Sequence, residues 1–191
     1  QIIKAIGKKD SRVKALFLTR NFSHHIAVTA GLDNASGEHI IMMDGDLQHL
    51  PEDMPKLLDR YFQGYDVVIG ERVNRQRGMR YLASVVLNFL VNKLSDYPID
   101  LYSGMFRVIS KRVNSHLHTM EEKSRFLAGM IDWLGFPSTT VDVKEASRKA
   151  GKTKYRFSNS LSLAMNWIFS FSTRPLRLSV YLGAIIATIG F

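Results

Sequence analysis

A chain of 191 residues with 46% hydrophobic content and five prolines can hold one domain with a real core plus an appendage, and this composition excludes a disordered protein. It contains no cysteine, which excludes disulfides and thiolate metal sites and leaves carboxylate, carbonyl or imidazole groups for any metal, favouring hard cations such as Mg²⁺ or Mn²⁺. The net charge of +9 is uneven: residues 1–66 hold eight Lys/Arg against nine Asp/Glu and residues 67–191 eighteen against eight, which predicts an anionic partner, whether nucleic acid, phosphorylated substrate or acidic bilayer.

Gln1 opens directly into what reads as the late part of a helix, with no initiator Met and no signal peptide, so the chain is expected to be a fragment. Val13 to Leu18 (VKALFL) reads as a short strand, and Asn21 to Ala35 as a loop leading into a helix that ends at Gly37. His39 to Met43 is a short, mostly apolar run bounded by Gly37 and by acids, the pattern of a fully buried parallel strand. Pro51-Glu52-Asp53 opens a helix to about Gln63, with acids near the positive end of its dipole, and Tyr65 to Gly70 is the next strand. Alternation of strands and helices predicts an α/β fold with a parallel sheet and right-handed crossovers.

After Arg80 the helical spacing of Tyr81, Leu82, Val85, Val86, Phe89, Leu90 and Leu94 predicts a helix of roughly four turns. A strand around Met105 to Ile109, a helix around Ser124 to Leu134 and a strand around Thr139 to Lys144 complete the predicted domain. Ser158 to Phe171 is amphipathic, with Leu161, Met165, Ile168 and Phe169 on one face and Trp167 beside them, a stretch suited to a membrane interface or to the core. Leu178 to Phe191 is uncharged and mostly apolar or small; it is shorter than the roughly 20 residues a bilayer requires, and is read as the start of a transmembrane helix over a buried core helix. Arg174 and Arg177 just before it predict a cytoplasmic face for everything N-terminal.

Asp44 and Asp46 follow the most apolar strand, at the carboxyl end where open α/β sheets bind ligands. Solvated acids in an ordinary loop are the alternative, since a lone Asp-x-Asp is common by chance. At a strand end, the pair suits a Mg²⁺ that keeps one or two carboxylates and shares the rest of its shell with substrate phosphates. The six histidines have no metal-binding spacing, and His49, although next to this segment, is read as a solvated loop residue. No G-x-S-x-G, P-loop or G-x-G-x-x-G occurs, so hydrolase, NTPase and dinucleotide readings lack support.

An ordered series of segments resembles the family 2 glycosyltransferases of GT-A fold, and within them the polyprenyl-phosphate sugar transferases, such as dolichol-phosphate mannose synthases and bacterial undecaprenyl-phosphate glucosyltransferases. The series comprises Arg20-Asn21-Phe22, Ala30-Gly31-Leu32-Asp33, Met43-Asp44-Gly45-Asp46-Leu47-Gln48, Pro51-Glu52 and Gly70-Glu71-Arg72. It continues through Ser103-Gly104-Met105-Phe106-Arg107, Arg125-Phe126-Leu127 and Gly151-Lys152-Thr153-Lys154-Tyr155 to Ser170 to Leu176, covering nearly the whole chain. The resemblance implies that Asp44 and Asp46 bind the divalent cation and donor diphosphate, that Gln48 lines the sugar site, and that Asp46 and Arg72 are central to catalysis. Arg72 would contact phosphate, a task suited to a guanidinium fork, although Arg75, Arg77 and Arg80 are nearby competitors. The run Lys144 to Arg156, with six basic residues and one acid, corresponds to the region that meets the lipid phosphate, and Arg148, Lys152 and Lys154 are the candidates there; a solvated basic face is the alternative.

The sequence departs from that pattern twice. Relatives often carry an acid where Met105 stands, so no general base is assigned, and the N-terminal strand that holds the nucleotide base is missing. The resulting expectation is an α/β, GT-A (Rossmann-like), mostly parallel sheet flanked by helices, N-terminally truncated. The catalytic domain would span residues 1–157, an amphipathic juxtamembrane segment 158–175 and the start of a transmembrane helix 176–191. The expected activity is inverting transfer from a UDP- or GDP-sugar to undecaprenyl or dolichyl phosphate, in cell-envelope glycan synthesis. Its partners would be the donor, the lipid phosphate and the membrane, without nucleic acid; a homo-oligomer is left open. A processive polysaccharide synthase of the same fold is the enzymatic alternative, against which stands the lack of a Gln-x-x-Arg-Trp segment. A non-catalytic basic module for membrane surfaces or nucleic acid would explain the charge but not the paired carboxylates.

Overall fold

A computed structural model describes residues 2–72, 85–86, 88–89, 92–93, 104–122, 125–144 and 172–190. Backbone contacts divide the chain into two units, Gln1–Ser36 and Gly37–Phe191.

In the first unit, α1 (Ile2–Lys9) ends on Lys8 and Lys9, cations placed at the negative end of the helix dipole. The turn after it is closed by Asp10, whose carboxylate accepts from the backbone N–H and the guanidinium of Arg12; those bonds hold the Asp10 carboxyl below its ordinary value. Helix α2 (His24–Asp33) stops at Asn34 instead of reaching the expected Gly37, because the Asn34 amide donates to the Gly31 carbonyl, the Ala35 amide to the Leu32 carbonyl, and the Asn34 side chain to the Ala30 carbonyl. The predicted strand Val13 to Leu18 does not form: these residues are irregular, and Val13, Leu16, Phe17 and Leu18 are exposed. Its apolar sequence suits a strand, but a strand exists only where a neighbour accepts its ladder hydrogen bonds, and none of the described strands pairs with it.

The second unit is built on a four-stranded sheet of β1 (His39–Met42), β2 (Val67–Arg72), β3 (Arg107–Ser110) and β4 (Ser138–Val143), in the spatial order β1-β3-β2-β4. β2 and β4 are parallel, whereas β3 is antiparallel to both β1 and β2 and lies between them. Three strands therefore point one way, but the expected succession of parallel pairs is interrupted by a reversed central strand. β1 is half-buried instead of fully buried: only Met42 is in the core, because β1 is an edge strand of the described sheet.

Between β1 and β2 come a 3₁₀ turn (Pro51–Asp53) and helix α3 (Met54–Tyr61), which packs on the sheet. Leu57 of α3 joins Val68, Phe106, Val108 and Val143 in a core cluster, with Ile41, Met54, Leu58 and Tyr61 around it. Each such aliphatic side chain contributes about 1.5–3 kcal/mol on leaving water. Side chains along β3 alternate faces, so Phe106 and Val108 meet α3 while Arg107 and Ile109 point to the other side. On β3 and beyond it pack α4 (Lys111–Thr119) and α5 (Leu127–Trp133), which bury Val113, Leu117, Leu127, Met130 and Ile131.

Helix α4 was not foreseen from sequence. Ser110 caps it, accepting from the Val113 amide while its own hydroxyl donates to the Asp66 carboxylate at 2.7 Å, and Arg125 donates to the Leu117 and Met120 carbonyls at the other end. After Arg80, the residues described (85–86, 88–89 and 92–93) are helical, and the rest of the predicted helix lies outside the described residues, as does Ser158 to Phe171. Helix α6 (Arg174–Gly190) runs 17 residues. Among the described residues no helix is long and apolar enough to cross a membrane.

Candidate active site

The acidic turn begins where β1 stops. Because β3 runs against its neighbours, the residues that precede it, Gly104 to Phe106, reach the same edge of the sheet as the carboxyl ends of β1, β2 and β4. Met42 and Ile69 are both level with Arg107, and Arg72, the last residue of β2, is paired with Val143 at the end of β4. Asp44, Asp46 and Gln48 are thus brought to the same sheet edge as the backbone of Arg72. That edge is the ligand-binding side of open α/β sheets.

The turn has a defined shape. Asp46 Oδ1 accepts from the Gln48 amide at 3.1 Å, a local bond that turns the chain back on itself. Leu47 between them has φ 61°, a left-handed conformation that costs a residue with a Cβ about 1–2 kcal/mol. Asp44, Asp46 and Gln48 are half-buried, whereas Gly45 and Leu47 are exposed. Strain held in a carboxylate-bearing turn is the kind that surrounding packing must enforce.

His49, expected to be a solvated loop residue, is instead buried: it is 2% exposed, and its ring stacks on Phe106 at 4.9 Å between centroids and 26° between planes. The imidazole is flat and largely apolar on its faces, so a core phenyl at the sheet edge is a better neighbour than water. Phe106 fits only because residue 70 is glycine, since a Cβ there would lie 2.6 Å from Phe106 Cδ1. Arg107, fully buried, donates to the Gly104 carbonyl through Nε (3.2 Å) and Nη2 (2.8 Å), with Nη1 3.7 Å from Asp132 of α5. The Phe-Arg pair of the Ser-Gly-x-Phe-Arg segment thereby fixes the loop in front of β3.

Asp53 also acts at a distance from its own helix. The sequence predicts an acid facing the helix dipole; in the structure the residue is buried, accepting from Lys56 through Oδ1 and from the Lys144 amide through Oδ2 at 3.2 Å. Burial pushes its carboxyl up; the Lys56 and Lys144 hydrogen bonds and their positive charge outweigh that and hold it below the ordinary 3.8. The bond across 91 positions ties the exit of the acidic turn to the residue that begins the basic run.

Arg148, Lys152 and Lys154, and the competitors Arg75, Arg77 and Arg80, lie outside the described residues. Met105, which stands just before the Phe-Arg pair, is half-buried. Among the described residues no three His, Asp or Glu converge on a metal position. Two carboxylates on one turn nonetheless fit a hard cation completed by substrate phosphates, the ordinary habit of Mg²⁺.

A mixed sheet with helices packed on it, and a strained acidic turn at the carboxyl edge, define the class as an α/β protein with its paired carboxylates at a strand end. The chain belongs to glycosyl transferase family 2, whose family model matches residues 1–117. It is 34% identical over 193 residues to an uncharacterised glycosyltransferase, YkcC, of Bacillus subtilis (strain 168), covering 100% of this chain and 60% of that protein. To a prophage bactoprenol glucosyl transferase homolog of Escherichia coli (strain K12) it is 36% identical over 192 residues, covering 100% and 63%. To an undecaprenyl-phosphate 4-deoxy-4-formamido-L-arabinose transferase of Erwinia tasmaniensis it is 33% identical over 191 residues, covering 100% and 59%. The chain thus spans about three-fifths of the length of these relatives.

Proposed function

We propose that the protein transfers a sugar from a nucleotide-diphosphate sugar to a membrane polyprenyl phosphate, with inversion at the anomeric carbon. The observation that carries the reading is the convergence of Asp44, Asp46, Gln48 and the end of β2 at Arg72 on one sheet edge, in a family 2 chain. The names of its relatives, which refer to bactoprenol and undecaprenyl phosphate, support the acceptor class.

In this reading Asp44 and Asp46 would hold Mg²⁺ or Mn²⁺ against the diphosphate of a UDP- or GDP-sugar, and Gln48 would face the sugar. The cation would supply charge neutralisation for the departing diphosphate. An oxygen of the lipid phosphate attacks the anomeric carbon as the bond to the nucleoside diphosphate breaks. A phosphate monoester has its second pKa at about 6, so most of it is already dianionic at neutral pH and needs no general base, which accords with Met105. Arg72 would meet phosphate near the reacting centre, and Arg148, Lys152 and Lys154 the acceptor phosphate. Positioning and charge neutralisation would then account for most of the rate.

The membrane setting is part of the proposal, with the catalytic domain on the cytoplasmic face. It is supported by α6, whose Leu176, Val180, Tyr181, Ile185, Ile186 and Ile189 are all at least half exposed, although they belong to an apolar helix. The preceding segment from residue 158 would lie in the interface and α6 would enter the bilayer. In purified full-length protein, Asp46→Ala should lower transfer of labelled sugar to undecaprenyl phosphate by roughly 100-fold or more. Normal transfer by that variant would overturn the assignment.

A further inference from the structure

We infer that His49 is a positioning residue, and that the stack Gly70–Phe106–His49 sets the shape of the acidic turn from inside the sheet. The inference rests on the transferase reading for its functional consequence but on geometry for its content. The turn is tight: Leu47 is in a left-handed conformation, beside the bond from the Gln48 amide to Asp46 Oδ1. The residue next to that bond is the one driven into the core. His49 is 2% exposed and lies against Phe106, itself fully buried with Leu57, Val68, Val108 and Val143. Phe106 has no room to move toward β2, because the space it uses is the Cβ space of Gly70. Its neighbour Arg107 holds the loop in front of it through the Gly104 carbonyl.

A rigid ring thus clamps the chain one residue after Gln48, and the stack fixes where the Asp46 carboxylate points. A misplacement of about 1 Å at reacting groups is enough to cost on the order of 100-fold in rate. The ring, not a titrating nitrogen, carries the effect: His49→Phe keeps a flat aromatic face, whereas His49→Leu fills similar volume without one.

The test uses the full-length protein in detergent or lipid, following hydrogen exchange of the Gln48 amide, transfer kinetics and melting temperature together. His49→Leu should exchange the Gln48 amide faster and lower kcat roughly 10–100-fold, with the KM for polyprenyl phosphate and the melting temperature little changed. His49→Phe should restore both exchange and kcat. Gly70→Ala, which displaces Phe106 without touching the turn, should reproduce the faster exchange and lower kcat, together with a lower melting temperature because Phe106 is a core residue. Wild-type exchange and kcat in His49→Leu would overturn the inference, and so would a Phe variant as impaired as the Leu one. Because exchange is measured without substrate, a failure of the transferase reading would leave this result legible.

Discussion

Asp53 shows how much one side chain can connect. Its carboxylate joins the helix that follows the acidic turn to the amide of Lys144, at the start of the basic run. Its pKa is depressed in the folded protein, so its contribution is fully present above the unfolded value of about 4 and is lost as pH falls through the folded value. Asp53→Ala should therefore cost roughly 1–3 kcal/mol at pH 7, and the difference from wild type should shrink below pH 4. Equilibrium denaturation at pH 7 and pH 3 checks this; an equal difference at both would show that packing, not charge, is what the alanine removes. The carboxylates of Asp44 and Asp46 were legible in the sequence because two acids after an apolar run have few structural uses. His49, Asp53 and Gly70 were not, because their roles depend on Phe106 and Lys144, far away in the chain. The glycine within Gly70-Glu71-Arg72 was the one hint, since a glycine inside a strand often marks a close neighbour.

At the level of elements, the strands that pair were found nearly in place, because β1, β2, β3 and β4 are short apolar or alternating runs with clear ends. What periodicity does not carry is direction, so the reversal of β3 was invisible. It also does not carry the partner, so the apolar Val13 to Leu18 looked like a strand that the structure does not form. Helix α4 failed for the opposite reason: KRVNSHLHT has few strong helix formers and only Val113 and Leu117 as an apolar pair. It forms because both ends are fastened from outside, by Ser110 and by Arg125. Ser110→Ala removes the cap and the hydroxyl that binds Asp66, and should destabilise the protein by about 1–3 kcal/mol in denaturant titrations. A change below about 0.5 kcal/mol would mean that packing of Val113 and Leu117 suffices.

For the molecule as a whole, the positive charge of the second part and the exposed apolar surface of α6 point to the same kind of surface. Basic residues near an anionic bilayer contribute about 1 kcal/mol each and are weakened by salt, whereas buried apolar area is not. The protein should therefore float with vesicles containing phosphatidylglycerol, remain partly bound in 1 M NaCl, and bind neutral vesicles less; protein that stays in the soluble fraction with every lipid would remove the membrane from the proposed function. The reversed strand has a consequence of another kind, for the order in which the molecule is made. The sheet's inner strand β3 separates β1 from β2 but leaves the ribosome after both. While residues 73 to 106 are being translated, a matter of seconds, β1 and β2 have no ladder to join across their gap. The acidic turn, borne by β1 and clamped by Phe106, is born early and shaped late, so a nascent chain arrested before β3 should hold the carboxylates without their geometry.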